Sequence, residues 1–356
     1  MLDPALSQWL EARAQALDLG DCDPQLVLSQ LAKANVLRVG ISPELGGSGG
    51  NLADAVEVLA EVASHSLAAA FVFWGQRAFI EYLLHSPNTV LRDGLLPALL
   101  SGELAGATGL SNAMKFLSGI EALQVRGRTS DTGWSLTGRL HWVTNLRKSG
   151  FVVAAAIDDE AGGPPFVLAI PGALAGLQRS ADLQLMGLQS SNTAALALEQ
   201  VEVDRDWLLH EDARAFLPAV RPAFLGLQCG MAIGLARRAL QEVEAHLQDD
   251  RSILLEPLQD CRQQLAQTVS ELKAGLLDGR FLTRPAALFR LRIALAESAA
   301  SAVQLELQAS GGKAYLSEHG SGFARRWRES AFVPIITPSL VQLRAELQRQ
   351  AREATA

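Results

Sequence analysis

The chain has 356 residues, 49% of them hydrophobic and 6% aromatic, with a formal charge of −7 at pH 7. Such a chain can bury a sizeable core and is long enough for two or three packed domains. The acidic balance excludes a general nucleic-acid role, which needs a basic face, but leaves room for a local arginine cluster around an anionic ligand.

Three widely spaced cysteines, Cys22, Cys229 and Cys261, make neither a CxxC pair nor a disulfide framework. They read as small buried apolar side chains in a reducing compartment. Met1 to Asp23 lacks the basic start and unbroken apolar core of a signal peptide. No segment reaches the ~20 uncharged apolar residues of a membrane span. The expectation is a soluble, cytoplasmic protein with no membrane or nucleic-acid partner.

Residues 1–103 read as an N-terminal helical domain. Leu6, Trp9, Leu10, Ala14 and Leu17 recur at helical spacing, and a second helix is predicted from about Pro24 to Asn35. The glycine-rich loop Ser42 to Gly50 follows no strand. It therefore fails the context test for a dinucleotide fingerprint and reads as a tight interhelical turn. Helices are predicted near 52–66, 67–86 and 89–101, with a break at Ser86-Pro87-Asn88.

Residues 104–207 change character. Ile120 to Gly127, Trp134 to Leu136, Leu140 to Thr144, Phe151 to Ile157, Phe166 to Ile170 and Thr193 to Val203 read as short strands of a small antiparallel barrel or sandwich. Residues 208–356 return to helix, at about 213–249, 254–278, 284–310 and 338–353. Long Ala- and Leu-rich antiparallel helices form a four-helix bundle whose leftover apolar faces drive oligomerisation. Pro222 is expected near the start of its helix or at a kink. The fold class is mainly α with a central β-domain.

The stretch Gly138-Arg139-Leu140-His141-Trp142-Val143-Thr144-Asn145, followed by the apolar run Phe151 to Ile157, carries the strongest functional signal. An indole beside a hydroxyl and an amide suits a planar, hydrogen-bonding ring system such as a flavin. Placed between two helical regions, this order resembles the acyl-CoA dehydrogenase superfamily. Pro43-Glu44-Leu45-Gly46-Gly47-Ser48-Gly49 is similar to the family's Pro-Glu-x-Gly-Gly-x-Gly loop, and Leu136 to Asn145 to its Leu-x-Gly-x-Lys-x-Trp-Ile-Thr-Asn. Met186-Gly187 and Ser190 to Val203 resemble the strands that close the β-domain. Gly234 to Leu240 resembles the first bundle helix. Gln308, Gly311, Gly312 and Tyr315 keep the spacing of Gln-x-x-Gly-Gly-x-Gly-Tyr, and Arg325, Arg328 and Glu329 resemble Arg-x-x-Arg-Asp.

The resemblance implies an FAD cofactor with its ring between the β-domain and the bundle. It also implies a homodimer or homotetramer in which a neighbouring subunit completes the site. Trp142 and Thr144 would contact the flavin ring, and Gln308, Gly311 and Gly312 would approach the diphosphate or adenosine end. The Gly-Gly pair also fits a helix C-cap, and one site can serve both ends. The family's flavin-contacting loop corresponds to Thr108 to Gly119, and Thr108 takes the place of its flavin-contacting Thr only if the loop is longer here. Ser118 keeps the place of a Ser near the acyl-CoA, and Lys115 is a solvent-exposed lysine or a contact to a ligand phosphate. Arg251 and Pro257 survive from an eroded cofactor-side motif, where Arg251 is a cofactor contact or a solvated helix charge. Ser339 is placed at the cofactor.

The chain departs from the family at the catalytic base. Thr337 stands where the family has its usual Glu, and a threonine hydroxyl is too weak an acid–base group to substitute. The alternative position on the first bundle helix, Ala219-Val220-Arg221-Pro222, has no carboxylate. Glu329 matches a structural acidic residue. His141 reads as a surface or packed histidine or as a base beside the ring, and the six histidines show no metal-ligand spacing. Arg325, Arg326 and Arg328 could pair with a diphosphate, bundle carboxylates or a partner subunit.

The function implied is an FAD-dependent oxidoreductase that dehydrogenates the α,β bond of an acyl thioester such as an acyl-CoA, served by an electron-transfer partner or a flavin reductase. The alternatives are a flavin-dependent monooxygenase of the same fold and a non-catalytic family member.

Overall fold

The computed structural model describes residues 2–117, 119, 121–247 and 249–353, with only the backbone at 249–251. Five helices come first: α1 (Pro4–Leu19), α2 (Gln25–Lys33), α3 (Leu52–His65), α4 (Leu67–His85) and α5 (Thr89–Leu100). Local signals place their ends. Asp3 accepts hydrogen bonds from the amides of Ala5 and Leu6 at the start of α1, and Gly20, at φ 85°, closes it in the left-handed region. Asn51 and Asp54 form a reciprocal capping box on α3. The glycine-rich stretch is a turn, pinned by an Ile41–Gly49 bridge.

The central strands are β1 (Ala105–Thr108), β2 (Val125–Thr129), β3 (Gly133–Val143), β4 (Phe151–Asp159), β5 (Phe166–Pro171), β6 (Leu177–Arg179), β7 (Ala194–Asp204) and β8 (Leu208–His210), with α6 (Ser111–Leu117) after β1. They form two groups, β6-β7-β3-β2 and β1-β4-β5-β8. A two-residue parallel pairing, Arg126 with Asp158 and Gly127 with Asp159, joins the groups. The sheet is therefore mixed where the sequence suggested antiparallel pairing throughout, because β4 takes both β1 and β2 in parallel. The two predicted segments at 134–136 and 140–144 are one strand, interrupted by Gly138 at φ 151°. A side chain there would meet the Gln124 carbonyl at 2.2 Å.

The remaining helices are α7 (Ala213–Ala245), α8 (Leu255–Leu277), α9 (Arg280–Thr283), α10 (Pro285–Ser310), α11 (Ser321–Phe332) and α12 (Leu340–Glu353). Asp212 caps α7, and Pro222 lies well inside it together with Pro218. α7 packs against α3 so closely that a Cβ on Gly234 would lie 2.1 Å from the Ala60 carbonyl oxygen. By length and composition α4 and α7 could each cross a membrane, but in this fold the apolar window of α4 is 94% buried and that of α7 83%. They are the core helices that hold the sheet and the bundle together.

Candidate functional site

A cleft of about 450 Å³ opens between the sheet and the helices, and no side chain among the described residues fills it. One wall comes from the ends of β1 and β3 and from α6. The other comes from α4, from the end of α11 and from the segment that leads into α12. The helical wall is aromatic. Phe71 stacks on Trp74 with centroids 5.5 Å apart and meets Phe332 edge-on at 5.0 Å. The Trp74 indole N–H donates to the Phe224 carbonyl at 3.1 Å, which fixes its ring.

A bulge shapes the sheet wall. Leu140 pairs with Leu196 and Val143 with Ala194, so two residues of β3 oppose one of β7. In a regular strand His141 and Trp142 would face opposite sides. The extra residue turns both outward into the cleft, leaving the Trp142 indole 60% exposed. Just beyond, the Thr144 hydroxyl donates to the Ser191 carbonyl at 3.2 Å, so toward a ligand it offers an acceptor. Asn145 sits at φ 62°, and its amide donates to the Gln76 side-chain oxygen at 2.9 Å and the Gly106 carbonyl at 2.8 Å. Gln76 in turn accepts from the Gly106 amide at 2.7 Å and donates to the Leu99 and Leu104 carbonyls. This buried amide network fastens the ends of β1 and β3 to α4. Thr108, at the end of β1, shares a 2.8 Å hydrogen bond with Tyr82, whose burial drives its phenol pKa upward and keeps it protonated.

The cleft thus gathers Thr108, Lys115, Trp142, Thr144, Thr337 and Ser339 from segments far apart in sequence. Ser118 lies outside the described residues. Arg251 falls in a short 3-10 turn, Asp249–Leu254, and its side chain is likewise outside the description. Gln308 is exposed on α10, and its side chain folds back to the Gln304 carbonyl. Gly311, at φ 63°, ends that helix, and Gly312 is exposed with open space around it. All three sit outside the cleft of their own chain.

Glu121 was not singled out from the sequence, because no motif surrounds it. It is the carboxylate lining the cleft among the described residues. It accepts from the Asn112 side chain at 2.9 Å and lies 3.1 Å from the Lys115 ammonium. Burial raises its pKa, but the hydrogen bonds from Asn112 and Lys115 and the charges of Lys115 and His141 outweigh that and leave it below the usual carboxylate value. It is an anchored anion rather than a poised base. Thr337 lines the cleft from the opposite wall, and its carbonyl accepts from Gln228 at 3.0 Å. Glu329 is buried away from the cleft, accepting from the Leu67 amide at 3.1 Å and from Arg325 at 2.9 Å, where it caps α4. The arginine cluster serves the frame. Arg326 grips Glu306 through two bonds of 2.8 and 2.5 Å, and Arg328 holds Asp18 at 2.6 and 2.9 Å.

A family model described as "Acyl-CoA dehydrogenase, N-terminal domain" matches residues 5–103. The mitochondrial isovaleryl-CoA dehydrogenase of Pongo abelii is 24% identical over 220 residues, which is 60% of this chain and 52% of that protein. The chain is thus similar to acyl-CoA dehydrogenases, most directly over its N-terminal helical region. The match spans about half the length of that relative. Among solved structures, KijD3 in complex with FMN and a dTDP sugar superposes with a TM-score of 0.78 at 19% identity, over 98% of this chain and 91% of that one. Dibenzothiophene monooxygenase from Paenibacillus sp. A11-2 superposes with a TM-score of 0.77 at 17% identity, over 97% and 94%. At these identities the structural likeness establishes a shared fold alone.

Proposed function

We propose that the cleft binds FAD and that this chain is a flavin-dependent oxidoreductase acting on an acyl thioester. The observation that carries the reading is the bulge in β3, which turns His141 and Trp142 together into an open cleft beside the fixed hydroxyls of Thr108 and Thr144. Those residues fit a planar ring with polar edges. The indole offers a flat apolar face, the threonines offer hydrogen-bonding atoms, and the Gln76–Asn145 network holds the strand ends rigid. The flavin would supply the hydride-accepting ring. The chain's own contribution is to orient the acyl group and keep water from the aromatic helical wall. The exposure of Gln308, Gly312 and the 88% exposed Tyr315, with Gly311 half-buried between them, suits a homo-oligomer in which they reach a neighbouring subunit's cofactor. The relative from Pongo abelii is an isovaleryl-CoA dehydrogenase, and KijD3 carries a flavin mononucleotide, which supports a thioester and a flavin here.

The second reading, a flavin-dependent monooxygenase, is favoured by one observation: no bundle carboxylate reaches the cleft among the described residues, and Glu121 is tied to Lys115 and Asn112. The dibenzothiophene monooxygenase fold likeness is consistent with it. Anaerobic mixing of flavin-loaded protein with a panel of acyl-CoAs separates the two. Bleaching of the flavin by any of them supports the dehydrogenase. No bleaching, together with oxygen uptake that depends on an added flavin reductase, supports the monooxygenase.

A further inference from the structure

Lys115 and Gln342 mark the side of the cleft that faces the bundle helices. These two side chains also line a second, smaller recess of about 60 Å³ that runs between α6, α7, α10 and α12. Its walls are largely apolar, from Met114, Leu117, Phe289, Pro338 and Leu343, and Arg221 of α7 stands among them. The Arg221 guanidinium lies 5.4 Å over the Phe289 ring, and its Nε is buried with no hydrogen-bond partner. Among the described residues Arg221 forms neither a hydrogen bond nor an ion pair. The Glu346 carboxylate also borders the recess, but Arg349 engages both of its oxygens, at 2.6 and 2.9 Å, and Gln350 adds a third bond. Lys115, which borders both the cleft and the recess, is committed to Glu121.

An arginine stays protonated in a protein, and a half-buried charge without a counter-ion is costly. Burial acts against the charge of Arg221, and Glu346 offsets this only at a distance. A planar guanidinium fork is matched by a carboxylate, which can take two parallel hydrogen bonds from it. The apolar walls match methylene groups between such a carboxylate and the main cleft. We propose that the recess is an anion subsite of the substrate cleft, and that the chain acts on acyl thioesters whose acyl arm ends in a carboxylate. This rests on the acyl-thioester reading of the cleft.

The test compares glutaryl-CoA with pentanoyl-CoA, two arms of equal length that end in a carboxylate and a methyl group. Flavin-loaded protein is titrated with each, and Kd is read from the flavin absorbance change and independently by calorimetry. The unaltered protein is expected to prefer glutaryl-CoA by about tenfold or more, the value of one lost charge-assisted pair. Arg221→Met and Arg221→Gln should each bring the ratio of the two constants close to one, so either variant that folds decides the matter. A preference under about threefold in the unaltered protein, or one that survives in both variants, overturns the subsite. If both esters bind without preference, the subsite fails and the thioester reading stands. If neither ester binds by calorimetry, the thioester reading fails and takes the subsite with it.

Discussion

Thr337 is the residue at which this sequence departs most clearly from the dehydrogenase motifs it resembles. Thr337 lines the cleft, yet a hydroxyl cannot accept a proton from an acyl α-carbon at neutral pH. Thr337→Glu would place a carboxylate on that wall. Stopped-flow mixing with an acyl-CoA should then show flavin bleaching faster by on the order of 10², the lower range for a positioned general base. An unchanged rate would mean that the acyl group does not reach this wall. Glu121 gives a second prediction, with its sign set by the lowered pKa. A carboxylate whose folded pKa is depressed stabilises the fold above its unfolded value, about 4.3, and loses that contribution as pH falls through the folded value. Urea midpoints of the unaltered protein and Glu121→Gln should therefore differ near neutral pH and converge in strong acid. A gap that widens on acidification would contradict the pairing with Lys115 and Asn112. Trp142 and Thr144 could be seen in the sequence because a motif surrounds them. Glu121 and the recess at Arg221 could not, since a cleft is made by segments that only the fold brings together.

At the level of elements, the bulge and the amide network behind it set the site. Asn145 is the hinge of that network, holding β3 to both β1 and α4 from a left-handed backbone position. Asn145→Ala would leave buried groups unpaired and put an alanine at positive φ. The expected loss is about 2–3 kcal/mol in urea unfolding, and a loss near zero would show the network to be incidental. The long helices were legible because their apolar residues recur at the helical period. The elements that escaped are informative in physical terms. β1 is four small residues, Ala-Gly-Ala-Thr, with no alternation, although all four are buried. β6 and β8 have three residues each. α11 hid because its buried face is mostly charged: Arg325, Arg326 and Glu329 are buried in ion pairs, and Phe323 is the apolar residue buried beside them. The bulge at His141–Trp142 arises from register against β7, which no local pattern encodes.

For the molecule as a whole, the core runs without a break from the N-terminal helices through the sheet into the bundle. The three cysteines, expected as buried apolar groups, divide. Cys229 is fully buried in α7, while Cys22 and Cys261 are half-buried. Burial pushes the Cys229 thiol up to about 12. In a time course with a thiol reagent, Cys229 should therefore react only as fast as the whole chain unfolds, and its labelling rate should rise with denaturant. Modification of Cys229 in the native protein at the rate of the other two would contradict the packing of α7. The central claim is that a flavin ring occupies the cleft between sheet and bundle, and the most direct measurement is the visible absorbance spectrum of the purified protein after incubation with FAD and removal of unbound cofactor. A flavin spectrum that stays with the protein, and is lost when Trp142 and Thr144 are both replaced by alanine, is the predicted result. A colourless protein after that treatment, with its fold intact by circular dichroism, would contradict it.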